Sequence, residues 1–237
     1  MSKFSCNDNV SCHECLNKDS SLFTHISTQH KDFINTAKVH CEFKKGETIF
    51  KEGMKPTGLI CLNQGKVKIF KEGIGGKEQI IRFARPIQLI GFRAMFAEGN
   101  YMSSAVAIED SRVCHIDKEK VFEVVHKDNE LALKIIRRLA YELGDAKTRI
   151  VNLTQKHVRG RLAEALIILH DTYGDNLVDG YMDVSIGRND LADLSNMTTS
   201  NASRTLSAFA DEGLLMTQGR KIKILKLKDI ARISEYG

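Results

Sequence analysis

The sequence predicts an α+β chain: an N-terminal antiparallel β-barrel of the jelly-roll kind, a long dimerisation helix and a C-terminal winged helix-turn-helix. Three observations carry that expectation. From about His40 to Ile116, short apolar runs are broken by glycines, the texture of brief strands joined by tight turns. Ile136, Leu139, Leu143, Ala146, Ile150 and Leu153 then recur at alternating spacings of three and four, which is a heptad seam. Finally, RNDLADLSNMTTSNASRTLSAFADEGLL, from Arg188 to Leu215, reads as two short helices around a tight turn.

At 237 residues, 42% of them hydrophobic, the chain can bury one large core or two modest ones. It holds no run of about 18 apolar residues, the length a membrane helix needs. Its first residues, MSKFSCNDNVSC, lack the apolar centre of a signal peptide. A cytoplasmic setting with no membrane partner is therefore expected. The six cysteines then serve as thiols or metal ligands rather than structural disulfides, because the cytosol keeps thiols reduced. The net charge of +5 decides little: from Val151 onward eleven Lys and Arg stand against eleven Asp and Glu. Attraction for a polyanion has to come from local arrangement. No Walker loop, GxGxxG, GxSxG or HExxH occurs, and a cupin-type barrel would need clustered His and carboxylates where these runs offer His115 and little else. An enzyme is not expected.

Taken in order, residues 1–20 are a polar segment bearing Cys6, Cys12 and Cys15, with too little apolar surface to fold by burial; ligation could hold it. Zinc bound by those thiols and a His such as His13 is one option, although adjacent Cys12 and His13 reach one ion only through a tight turn. A redox-active thiol cluster is another. The barrel spans 21–117 and opens with a short helix over Ser27–Ala37 that packs through Phe33 and Ile34. Ile60-Cys61-Leu62 and Val67-Lys68-Ile69 flank Asn63-Gln64-Gly65 as a hairpin, and Cys41 and Cys61 read as packing residues. Residues 118–154 are the helix region. Its seam at Ile136, Leu139, Leu143 and Ile150, edged by Lys134, Arg137, Arg138 and Glu142, fits a parallel homodimer. Residues 155–237 then read as a helix over Val158–His170 broken at Tyr173-Gly174-Asp175, a strand through Met182, Val184 and Ile186, the helix-turn-helix and a wing.

Within the helix-turn-helix, Leu191, Ala192 and Leu194 give the first helix an apolar side. Asn196 can take the left-handed turn and Thr198 can cap the second helix. Ala202, Leu206, Phe209 and Ala210 would face inward, leaving Thr199, Ser200, Ser203, Arg204 and Ser207 outward. Such a face fits a major groove, where Arg pairs with guanine O6 and N7 while Ser and Thr reach bases or phosphates. Gly213 stands at a C-cap position. After it, LLMTQGRKIKILKL forms two runs around Gln218-Gly219, a wing presenting Arg220, Lys221 and Lys223. Double-stranded DNA is the expected partner; the alternative is a ligand-binding barrel module that acts only through protein-protein contacts.

Barrel, helix and winged helix in that order resemble the Crp/Fnr regulators, relatives of the cyclic-AMP receptor protein and the fumarate and nitrate reduction regulator. GETIFKEG near Gly46, LNQGKVKIF near Gly65, LIGF with Gly91, VRGRLAEALIIL and the Arg188–Leu215 element carry the resemblance, which covers almost the whole chain. It implies a cyclic-nucleotide-binding-like barrel that senses a signal, and a homodimeric transcription factor on a roughly palindromic site. Two recognition helices would enter successive major grooves about 34 Å apart, with RNA polymerase as a further partner. Ser200, Ser203 and Arg204 match the family's base-reading positions. Ser200 stands where Glu is usual, so the preferred operator is expected to differ.

The resemblance also bears on the signal. The cyclic-nucleotide branch has a Glu after the LIG glycine and a later Arg-Ser pair; Phe92 and Met102-Ser103 stand there, which disfavours cyclic AMP, with Arg93 the nearest substitute cation. The iron-sulfur branch uses three N-terminal cysteines and one from the barrel, and Cys114 in SRVCHI falls at the barrel position. Cys6, Cys12, Cys15 and Cys114 would then supply the four thiolates of a [4Fe-4S] cluster. The spacing departs: five then two intervening residues, where the family's oxygen sensor has the reverse.

Overall fold

Runs such as VKIFKE and SRVCHID open with side chains alternately buried and half-buried, and bury consecutive residues at Ile69-Phe70 and Val113-Cys114; the first half of the chain forms strands accordingly. These are β1 (Lys38–Phe43), β2 (Thr48–Phe50), β3 (Gly58–Gln64), β4 (Val67–Glu72), β5 (Glu78–Ala84), β6 (Leu89–Ile90), β7 (Ser104–Ala107) and β8 (Ser111–Asp117). The computed structural model describes residues 21–24, 26–175 and 177–236. Cys6, Cys12 and Cys15 therefore lie outside the described residues. The strands form two four-stranded sheets, ordered β1-β8-β3-β6 and β2-β7-β4-β5. Their inner faces share one core, to which the first sheet gives Cys41, Ile60, Leu62 and Val113 and the second Phe50, Val67, Ile69 and Ala105. This is the expected antiparallel barrel, but the turn at Asn63-Gln64-Gly65 is not the expected hairpin: β3 and β4 belong to different sheets, so it carries the chain from one sheet to the other.

Gly91 follows β6 with φ +70°, a conformation that puts a Cβ under strain. That Cβ would also lie 2.6 Å from the Tyr101 ring and 3.0 Å from the Phe50 ring. The two rings stack at 4.0 Å between centroids and belong to the barrel core. Gly91→Ala is expected to cost about 1–3 kcal/mol through overpacking. A thermal melt checks this, and an unchanged midpoint would refute the packing argument.

Helices cover the outer face of the β1-β8-β3-β6 sheet. They are α1 (Thr28–Ala37), α2 (Phe92–Phe96), α3 (Lys118–Lys127) and α4 (Asn129–Gln155). Ser27 caps α1 by accepting from the His30 amide at 3.2 Å. Ile34, Phe92, Met95, Val121, Leu131 and Ile135 pack on Leu59 and Ile116 in a second core. The helix region is broken at Asp128, whose backbone is extended. Its carboxylate accepts from the Leu131 amide at 2.9 Å and so starts α4.

Contacts divide the chain into two units: the chain up to Lys71 with Ala84–Gly144, and Glu72–Phe83 with Asp145–Gly237. The second contains α5 (Val158–Tyr173), β9 (Leu177–Val178), β10 (Tyr181–Met182), α6 (Arg188–Leu194), α7 (Thr199–Asp211), β11 (Leu215–Gln218), β12 (Lys221–Ile224) and α8 (Leu227–Tyr236). Two details correct the sequence reading. The strand expected through Met182, Val184 and Ile186 ends at Met182, because β9, the strand it pairs with, is two residues long. Val184 and Ile186 are buried nonetheless, and the Ile186 amide donates to Arg220 O at 3.0 Å. Helix α8, packed on α5 with Ile230 buried, was not anticipated.

Candidate nucleic-acid interface and sensor site

The reading head is built by local rules. Gly187 N donates to Asp190 Oδ2 at 3.3 Å, fixing the start of α6, and Leu191, Ala192 and Leu194 are buried beneath it. Asn196 takes φ +48° in the turn. Thr198 Oγ1 accepts from the Asn201 amide at 3.2 Å and caps α7. Ala202, Leu206 and Phe209 are buried, whereas Ala210 is only half-buried. Thr199, Ser200, Arg204 and Ser207 are exposed and Ser203 half-buried. Thr199 Oγ1 is tied to Asn189 Oδ1 at 3.0 Å. Arg204 Nη2 donates to Asn201 Oδ1 at 2.6 Å. An amide leaves the guanidinium its full charge and spare donors, which a carboxylate would take up.

The wing pairs β11 with β12, Gln218 opposite Lys221, around Gly219 at φ +61°. Arg220 and Lys221 are exposed and Lys223 is half-buried. Below the reading helix, Arg159 makes a two-pronged ion pair with Glu212 and lies 4.6 Å from the centre of the Phe209 ring. The hydrogen bond from Arg159, and then its charge, hold the Glu212 carboxyl below the ordinary 4.5. A depressed folded value means that the pair stabilises above the unfolded pKa and stops doing so as pH falls through the folded one. Glu212→Gln is expected to lower the melting temperature slightly near neutrality, the pair being exposed, and not at all well below 4.5. Melts across pH check it; a difference that persisted in acid would point to lost packing instead of lost charge.

One contributor escaped the sequence reading. Arg149, near the end of α4, donates to Ile80 O at 2.7 Å, to Leu194 O at 3.2 Å and to Ile81 O. Gln79 Nε2 adds a bond to Asp193 O at 2.6 Å. The β4–β5 hairpin is thus stitched to the turn of the helix-turn-helix through backbone carbonyls. An arginine in a helix has no sequence mark for that role.

In the barrel, Phe92 is buried in the second core, Met102 is 59% exposed, and Ser103 is half-buried. Arg93 Nη2 lies 3.3 Å from the Met102 sulfur. Burial pushes the Tyr101 hydroxyl up to about 12. Cys114 is buried, its sulfur 3.4 Å from His40 Nδ1. The register sets His40 and Cys61 opposite it on the two neighbouring strands, so all three share the outer face of the sheet. Cys41 is buried in the inner core as a packing residue. Cys61, expected to be another, is half-buried beside Cys114's strand position. Among the described residues no three His, Cys, Asp or Glu side chains are placed to hold a metal ion.

A barrel joined by a long helix to a winged helix with a polar, cationic reading face defines the class of DNA-binding transcriptional regulators with a sensing domain. Family models agree: the cyclic nucleotide-binding domain matches residues 40–128 and the Crp-like helix-turn-helix domain residues 160–233. The chain belongs to the Crp/Fnr family of transcriptional regulators, which are not enzymes. It is 26% identical over 216 residues to the transcriptional activator protein FnrA of Stutzerimonas stutzeri, covering 90% of this chain and 88% of that one. It is 27% identical over 199 residues to the cyclic AMP receptor protein of Thermus thermophilus, covering 84% and 89%. Its fold matches FixK2 from Bradyrhizobium japonicum with a TM-score of 0.73 at 24% identity, covering 83% and 96%. No helix among the described residues is long and apolar enough to cross a membrane.

Proposed function

We propose that the chain acts as a homodimer on a roughly palindromic duplex, with RNA polymerase as a further partner, under a redox or oxygen signal received through its cysteines. The observation that supports the dimer is on α4. Ile136, Leu143 and Ile150, one heptad apart, are 59%, 59% and 63% exposed, an apolar stripe that a second copy would cover. Leu139 packs partly on its own second core, so the seam has to share that residue. Thr199, Ser200, Ser203 and Arg204 would read the groove, and Arg220 and Lys221 would hold flanking phosphates.

The filled barrel argues against classical cyclic AMP binding. The Phe50–Tyr101 stack occupies the core beside Gly91, and Phe92 offers no carboxylate for a ribose. The cysteines fit a cluster better. Cys114 lies on the same outer face as Ile116, where Phe23 and Ile26 pack. Cys15 is eight residues before Phe23, a reach of at most about 28 Å. Cys6, Cys12, Cys15 and Cys114 are the residues that would hold a [4Fe-4S] cluster, with Cys61 and His40 next to the last of them. Such a cluster supplies an oxygen-labile centre when bound. The chain's part is to hold the sulfur of Cys114 in a buried strand coupled to the core that α4 shares.

Anaerobic purification with a visible spectrum and iron and sulfide analysis, repeated on Cys114→Ala, tests this. A broad band lost in air and absent from the variant is expected. A colourless, metal-free protein would overturn the cluster and leave thiol oxidation or a small ligand as the signal. Duplex binding measured against salt tests the reader separately: affinity should fall linearly in log salt, and a flat response would favour a module that works through protein contacts.

A further inference from the structure

Outside the barrel interior, the first unit carries a cavity of about 580 Å³, within the size range of small-molecule sites. It lies on the outer side of the sheet edge: Leu89 and Phe92, which line it, pack with the second core, whereas the intervening Ile90 belongs to the barrel core. Leu22 completes an apolar floor. The wall from α4 presents Lys134, Arg137 and Arg138, and among the described residues no Asp or Glu lines the cavity. Arg138 is engaged by Glu142 at 3.0 Å. The side chains of Lys134 and Arg137 have no ion pair or hydrogen bond among the described residues.

Uncompensated cations over an apolar concavity favour a particular chemistry. A concave, low-dielectric wall focuses their positive field, and an arginine fork matches a carboxylate or phosphate group. The floor meanwhile rewards an apolar body. We infer that this cavity is a binding site for an amphiphilic organic anion, with its acidic head on Lys134 and Arg137 and its apolar part against Leu22, Leu89 and Phe92. Neutral or cationic molecules of the same size lack the head contacts. The inference goes beyond the regulatory reading and does not depend on it, since binding is measured without DNA.

The test is calorimetric titration of the full chain with octanoate and with octyl phosphate, using octylamine as the control of opposite sign. One of the two anions is expected to bind once per chain, and Lys134→Gln with Arg137→Gln to weaken it by about tenfold or more. Both positions lie at the surface side of α4, so the double variant is expected to keep its melting temperature. Hydrogen exchange should show ligand protection at residues 87–92 and 134–141. Absence of binding by both anions, equal affinity in the variant, equal binding of octylamine or protection confined to the barrel interior would each overturn the site. Preference between the two anions would separate a carboxylate head from a phosphate.

Discussion

Leu143→Asp is expected to leave the chain folded but monomeric in sedimentation, and to weaken its binding to a duplex with two half-sites by about 10²–10⁴-fold. Leu143 is 59% exposed and belongs to neither core cluster, so the monomer loses nothing by the change. In a parallel pair of helices the two new carboxylates would face each other and lose water at once. The affinity loss follows from the lost linkage: in a dimer the second reading helix binds at the effective concentration set by the first. A single half-site duplex should be bound equally by both proteins, which separates lost dimerisation from a damaged reader. A Leu143→Asp protein that stayed dimeric and bound the full site normally would remove the dimer proposal. Leu139→Asp is the informative contrast, because Leu139 also packs on its own second core and its loss should lower the melting temperature as well.

How far the sequence could be read depended on whether a feature was local. The cap at Thr198, the left-handed Asn196 and the buried trio Ala202, Leu206 and Phe209 all follow from short-range rules, and each appears as expected. The barrel was legible because glycines and alternating apolar residues mark strand ends. The break at Asp128 was hidden within a continuous helical period, since an internal cap leaves the apolar spacing almost intact. Strand β10 was overextended because buried Val184 and Ile186 alternate as a strand does, yet pairing needs a partner and β9 supplies two residues. Arg149 and the juxtaposition of His40, Cys61 and Cys114 depend on register between distant strands and on backbone carbonyls. Neither leaves a pattern in a single sequence.

For the reader, Arg204→Ala is expected to cost about 1–3 kcal/mol in each half-site, hence roughly twice that on a full site, and to relax discrimination at one base pair. The residue is exposed, and its bond inside the helix is to the neutral amide of Asn201, so both fold and charge balance should survive its removal. Its guanidinium can leave that amide for the edge of a guanine without breaking an ion pair. A lysine should not restore the contact, because it cannot make two parallel bonds to O6 and N7. Lys221→Ala serves as the comparison: exposed on the wing, it should weaken all duplexes alike and reduce the salt slope by about 1. Competition binding over a library of half-sites distinguishes them. If Arg204→Ala lowered affinity uniformly and Lys221→Ala changed sequence preference, the roles of helix and wing would be exchanged. With Ser200 beside it in place of a carboxylate, the reading face has no acceptor-only side chain among Thr199, Ser200, Ser203 and Arg204. The base pair next to the Arg204 contact should therefore tolerate replacement of cytosine, a preference that the same library would measure.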